Sequence, residues 1–312
     1  MSILLDVILP VFVVIGFGYA MCGFGLANET LINSVKDFAQ KFAVPFLLYS
    51  GVSNLDLGMF TSSGLIQTYY IAAFSCFGLG VLGARYLFGR AWEDSVVIGF
   101  TCLFSNTVLL GLPITERAFG TEALSYNFII ISVHSPLCYL VGISAMELAR
   151  ANSAQANWKS AVPQILRAMF SNSLVIGIAA GFTVNILDIP EPTVIAEAID
   201  WMARAALPAA LFSLGGTIYL LKIEGNLILV GFICLISLGM HPILVKLLSV
   251  PYGLSQEALR SALLTSSMAP GVNAFIFAEM YGRARRVAAS SVLIGTIISI
   301  FTVWGWLGIL YA

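Results

Sequence analysis

Two stretches decide how this chain is read: Ser105-Asn106-Thr107-Val-Leu-Leu-Gly111-Leu-Pro113 and Ser266-Ser-Met-Ala-Pro270-Gly271-Val-Asn273. Each sets a proline, a glycine and a carboxamide in the middle of an apolar run. Proline removes a backbone donor and its ring clashes with the preceding turn. Glycine permits the turn that results. Both runs are therefore expected to be helices broken near their centres.

The surrounding composition says what solvent those helices occupy. Of 312 residues, 59% are hydrophobic and 10% charged, with a mean hydropathy of +0.94. A globular protein carries roughly 25% charged residues. Fifteen basic and sixteen acidic side chains cannot cover the surface of a soluble chain this long, so the apolar excess needs a bilayer. A cytosolic enzyme, a nucleic-acid binder and a secreted disulfide scaffold are excluded. The net charge of −1 offers no polybasic field for nucleic acid. Cys22, Cys76, Cys102, Cys138 and Cys234 lie far apart, without zinc spacing, and read as small apolar fillers in helices. The residues before Asp6 carry no positive charge and no cleavage-like motif follows, so the first apolar run reads as a retained span.

A crossing helix needs about 20 apolar residues. Ten such runs follow: about Ile3–Cys22, Thr30–Ser53, Gly64–Leu87, Ser95–Phe119, Ala123–Met146, Val162–Leu187, Val194–Leu221, Asn226–Val250, Glu257–Tyr281 and Val287–Tyr311. They predict an all-α membrane protein of two five-helix halves, 1–150 and 161–312, joined by a short linker at 151–160. The odd-numbered connections hold Arg85, Arg90, Arg150, Lys159, Arg167, Lys222, Arg283, Arg285 and Arg286; the even ones hold only Arg117 and Arg260. Basic connections face the cytoplasm, which puts both termini outside.

The halves repeat. Asp37, Lys41, Ala43, Pro45 and Ser50 recur as Asp200, Arg204, Ala206, Pro208 and Ser213, all at an offset of 163. An odd number of spans inverts on duplication, giving the inverted repeat of many secondary transporters, whose substrate sites sit at matched helix breaks near the midplane. The candidate substrate residues are thus Ser105, Asn106, Thr107, Gly111 and Pro113 in the fourth span, and Pro270, Gly271 and Asn273 in the ninth. Half-helix N-termini there would offer free N–H groups and partial positive charge to a carboxylate. An ordinary proline kink, with the asparagine as an interhelical bond, is the plainer alternative.

Charges within spans are candidates for ion coupling. Asp37–Lys41 and Asp200–Arg204 are spaced i,i+4 and can neutralise each other on one helix face. Asp37, Asp200 or Asp56 could instead titrate. His241, before Pro242 in the eighth span, is either a proton relay or a hydrogen-bonded structural residue, as is His134 in the fifth. No cofactor or metal motif is present, and coupling to sodium or to protons stays open.

The run Asn106-Thr-Val-Leu-Leu-Gly111-Leu-Pro113-Ile, with Phe119-Gly120, resembles the signature of the auxin efflux carrier family. Lys41-Phe-Ala-Val-Pro45, Gly271-Val-Asn-Ala-Phe-Ile-Phe-Ala-Glu279-Met-Tyr281 and Ala288-Ala-Ser-Ser-Val-Leu-Ile-Gly-Thr resemble it too. The resemblance covers nearly the whole chain. It implies a ten-helix carrier of the bile acid/sodium symporter-like type, with a scaffold domain beside a transport domain whose fourth and ninth helices cross. It implies that Asn106 contacts the anion, and that Asp56 with Lys41 forms a supporting polar site. Bacterial members include malonate and other dicarboxylate permeases. The chain departs from the plant carriers in having only residues 147–160 where those carry a long cytoplasmic loop.

The expected function is therefore secondary transport of a small organic anion in a bacterial inner membrane, by elevator-like or rocking alternating access, with lipid as surroundings and a homodimer compatible with it. A passive anion channel and a sodium-coupled bile-acid-type symporter are the alternatives. No catalytic constellation is present, so an enzyme is not expected.

Overall fold

The computed structural model describes residues 4–59, 64–150, 173–220 and 223–311, together with Pro163. No strand occurs among them; an isolated antiparallel bridge joins Ser105 to Pro270. Among the described residues six helical stretches are long and apolar enough to cross a membrane: Asp6–Gly23, Leu65–Tyr86, Thr121–Ala149, Thr193–Leu220, Leu227–Ser249 and Arg285–Tyr311. They fall on the first, third, fifth, seventh, eighth and tenth predicted runs.

Of the other four runs, the second, fourth and ninth are built from shorter pieces, and the sixth, Pro163 apart, is described only from Ser173. The first run's α1 is Leu9–Gly23. The second run is α2 (Glu29–Phe38) and α3 (Val44–Ser53). After α4 (Leu65–Tyr86), the fourth run is α5 (Trp92–Leu103) and α6 (Leu112–Phe119). Then come α7 (Leu124–Ala149), α8 (Ser173–Ile186) and α9 (Thr193–Leu220). The eighth run is α10 (Leu227–Cys234) and α11 (His241–Ser249). The ninth is α12 (Gln256–Ser266) and α13 (Val272–Tyr281), and α14 (Arg285–Tyr311) completes the chain. The linker 151–160, the start of the sixth run, and Lys159, Arg167 and Lys222 lie outside the described residues.

Proline sets the local geometry of several of these helices. Wide π-type turns occupy Leu4–Ile8, Ala39–Ala43, Thr107–Gly111 and Leu235–Met240. Each ends two residues before a proline: Pro10, Pro45, Pro113 and Pro242. The ring would collide with the carbonyl four residues back, and widening the preceding turn relieves that collision. Pro136 and Pro208 sit within continuous α7 and α9 instead. Pro45 and Pro208, which stand 163 residues apart, are therefore accommodated differently.

Packing sorts the helices into two groups. In one, α1 lies along α9, and α3 packs on α8 and α9. Glycine makes this approach possible. A Cβ on Gly215 would meet the Ile15 carbonyl oxygen, and one on Gly18 would meet that of Phe212. Gly215→Ala is expected to push α1 from α9 and to cost about 1–3 kcal/mol, read as a lowered melting temperature of the detergent-solubilised protein. In the other group, α4 packs on α5, and α10 to α14 close around them. Its centre stacks Phe100 on Phe277, with ring centroids 4.0 Å apart. Large apolar side chains cover the outside, among them Trp201, Val194, Ile228 and Val250, each more than 70% exposed. Such a surface suits lipid rather than water. All five cysteines are buried and free.

Candidate functional site

The fourth and ninth runs are interrupted where they meet. Helix α5 stops at Leu103 and α12 at Ser266; helical structure resumes at Thr107 and at Val272. The intervening backbones pair with each other. The Asn106 N–H donates to the Ala269 carbonyl at 2.8 Å, and the Gly271 N–H donates to the Phe104 carbonyl at 2.7 Å. Groups freed by one break are thereby satisfied by the other, as burial in an apolar medium requires. Gly271 allows the close approach: a Cβ there stands 3.2 Å from the Phe104 ring and 3.3 Å from the Ser105 carbonyl oxygen.

A cavity of about 690 Å³ opens beside this crossing, within the range of small-molecule sites. Ser105, Asn106 and Thr107 line it from one strand of the crossing, and Gly271 and Asn273 from the other. Asn106 is 5% exposed. Its side-chain oxygen accepts from the Leu109 N–H at 3.2 Å, capping the turn that starts at Thr107. Its Nδ2 has no hydrogen-bond partner among the described residues. A buried donor left unmade costs about 1–3 kcal/mol, so the Asn106 amide is available to an acceptor occupying the cavity. Asn273 stands at the second residue of α13 and accepts a long hydrogen bond from the Tyr139 hydroxyl at 3.5 Å. The first N–H groups of that ten-residue helix lack intrahelical acceptors and carry its positive dipole end.

Among the described residues two cations complete the lining, Lys41 and Arg150, and no carboxylate joins them. Lys41 is bonded to Asp37 at 2.7 Å, and both side chains are about half exposed. Arg150 ends α7 with its guanidinium over the Tyr281 ring, 4.8 Å from the centroid. Nearby, Arg283 pairs with Glu93 at 3.0 Å and with Asp94 at 3.3 Å, pinning the start of α5 to the end of α13. The Glu93 backbone N–H and the Arg283 guanidinium hold that carboxyl below its usual value.

Several residues singled out in the sequence fall elsewhere. Gly111 and Pro113 lie one turn beyond the break. Gly111 has ordinary helical angles, and Pro113 sits in the first turn of α6, where no N–H is required. The break is made by Phe104–Asn106 instead. Pro270 pairs with Ser105 but does not line the cavity. His241 is fully buried behind the crossing, its Nδ1 3.4 Å from Ser105 Oγ. Asp56 does not join Lys41. It lies past the end of α3, where its Oδ1 accepts from the Gly58 N–H at 2.9 Å, and Lys41 is roughly 18 Å from that helix end at 1.5 Å per residue. Asp200 and Arg204 pair at 2.7 Å on an exposed face, away from the cavity, repeating the Asp37–Lys41 geometry. Arg150, Tyr139, His134 and Gln40 were not singled out as ligand contacts, yet all line the cavity. Arg150 carries a signal in the sequence, as the first cation after the fifth apolar run, but that position marks topology and does not point to a ligand.

Residues 3–307 match the family model described as membrane transport protein. The chain belongs to that family. These membrane transport proteins include the auxin efflux carriers, and the members are transporters rather than enzymes. The chain is 26% identical over 310 residues to a Rhizobium meliloti protein named "Putative malonate transporter", covering 98% of this chain and 96% of the relative. It is 23% identical to an uncharacterized transporter of Methanocaldococcus jannaschii, covering 97% and 98%. It is 27% identical over 255 residues to auxin efflux carrier component 5 of Arabidopsis thaliana, covering 70% and 71%. As a family member with six long apolar helices, it is an integral membrane protein that moves a small molecule.

Proposed function

We propose that this protein is a secondary carrier of small organic anions, of which dicarboxylates such as malonate are the best fit. One observation carries the reading. A cavity at the meeting of two interrupted helices holds, among the described residues, an asparagine donor without a protein partner, the N-terminus of α13 and two cations, with no carboxylate in the lining. One carboxylate would take the Asn106 amide and the α13 N-terminus; the other would face Lys41 and Arg150. The name of the Rhizobium meliloti relative points the same way.

The architecture of this reading is ten spans in two inverted halves of five, with the interrupted fourth and ninth spans crossing at the site. The group formed by α1, α2, α3, α8 and α9 acts as the scaffold, and the remaining helices carry the site past it in an elevator-type movement. The cavity reaches from the crossing to Arg150 and Tyr281, the end of the molecule where the basic connections gather. By the distribution of positive charge that end is cytoplasmic, both termini are outside, and the cavity is open inward in a bacterial inner membrane.

Counterflow in proteoliposomes tests the reading. Vesicles preloaded with unlabelled malonate are expected to accumulate labelled malonate transiently, with saturation. Linear, unsaturable uptake with no counterflow would favour a channel and contradict the carrier.

A further inference from the structure

The chain has two histidines, and both flank the same residues of the crossing. His134 on α7 is 2% exposed and His241 on α11 is fully buried. His241 Nδ1 lies 3.4 Å from Ser105 Oγ. The His134 ring stands edge-on to Phe104, the preceding residue, with centroids 4.5 Å apart. Tyr69 of α4 sits between them, its ring 5.1 Å from His241 and 6.1 Å from His134. His134 lines the anion cavity and His241 does not.

We propose that this histidine pair binds one proton, taken up together with each anion that enters the cavity. The proposal rests on the anion site described above. The groups around the pair favour it. Tyr70 of α4 donates its hydroxyl hydrogen to the Ile130 carbonyl at 2.8 Å, so it presents a lone pair to His134 Nδ1 at 3.3 Å. Nδ1 then carries the ring hydrogen, and Nε2 is left to accept a proton. Cys138 of α7, with Sγ 3.9 Å from Nδ1, and the Ser105 backbone carbonyl are the other polar neighbours of the ring. Across the cavity stand Lys41 and Arg150, both cationic, and no Asp or Glu lines it among the described residues. A proton on the pair therefore has no anionic partner in the lining, and an incoming carboxylate supplies one. Two imidazolium rings around one serine would repel each other, which limits the pair to a single proton. The proton comes from the solution filling the cavity and resides on a histidine nitrogen while the anion is bound. Reciprocity then requires that anion binding raise proton affinity by the factor by which protonation raises anion affinity.

The test is proton uptake by the purified protein in weak buffer at about pH 7.5, where carboxylates are ionised, read with an indicator dye on adding saturating malonate. On the order of one proton per bound malonate is expected. Malonate affinity is expected to fall about tenfold per pH unit above the range where the free pair titrates, and to level off once the pH passes the range where the bound pair titrates. His134→Gln and His241→Gln, each checked for folding by its melting curve, are expected to lose the uptake at saturating malonate. Malonate binding without proton uptake and with pH-independent affinity would overturn the proposal and leave the anion site standing. Undiminished uptake in both variants would also overturn it. Absence of malonate binding in the unsubstituted protein would overturn the anion site and this proposal together.

Discussion

Asn106→Ala is expected to abolish measurable anion binding while the protein still folds. The Asn106 side chain does two things. Its oxygen caps the turn beginning at Thr107, through the Leu109 N–H, and its Nδ2 is a buried donor without a protein acceptor. Losing a cap costs about 1 kcal/mol, which a chain with this much buried apolar surface can absorb. Losing the donor removes a hydrogen bond to a charged ligand, about 1.5–3 kcal/mol in the site, or roughly a ten- to hundredfold loss of affinity before any disorder of the crossing is counted. Asn106→Asp separates the two roles. Aspartate keeps the capping oxygen but replaces the donor by a negative charge facing the cavity. Its melting temperature should therefore stay near that of the unsubstituted protein, while malonate binding by isothermal titration disappears. Retained affinity in Asn106→Asp would remove this side chain from the site.

Neutralising the cations is the second large effect. Arg150→Gln and Lys41→Gln are each expected to weaken malonate by about ten- to hundredfold, the value of a charge-assisted contact in a sheltered site. A monocarboxylate of similar size should lose far less, because its single charged group is held at the crossing. Lys41→Gln also strips Asp37 of the partner it meets at 2.7 Å, leaving an anion near the cavity. The double substitution Asp37→Asn with Lys41→Gln removes that extra repulsion and is expected to recover part of the affinity. Equal losses for mono- and dicarboxylates would show that these cations act on the field of the cavity as a whole rather than on a second carboxylate.

Much of the fold could be read because charge is so scarce in this sequence. Runs bounded by Arg85, Arg150 or Arg283 located the long helices, six of which are long and apolar enough to span. The meeting of the two interruptions at Ser105 and Pro270 lay near the Pro, Gly and Asn residues that suggested it. The exact place of the break was harder to read. Pro113 looked like the breaker, yet a helix tolerates proline in its first turn, and the wide turn at Thr107–Gly111 absorbs the ring. The break falls at Phe104–Asn106, where no residue is a strong helix breaker. It is held open by pairing with a segment some 165 residues away in sequence, and a local pattern carries no trace of such pairing. For the same reason no local pattern marks Arg150 and Tyr139: Tyr139 belongs to an apolar helix and Arg150 follows its last residue, and their contacts with Tyr281 and with Asn273 and Phe277 of α13 bring them to the cavity. Asp56, which the family resemblance pairs with Lys41, is separated from it by the length of α3.

The seat of the anion is the claim on which the rest depends, and bromomalonate can locate it directly. Crystals grown with this dicarboxylate, after binding is verified in solution, carry an anomalous scatterer on the ligand. The bromine peak is predicted inside the cavity, between the Asn106 amide, the start of α13 and the Lys41 ammonium. A peak outside that cavity, or a ligand seated away from both asparagines, would contradict the account.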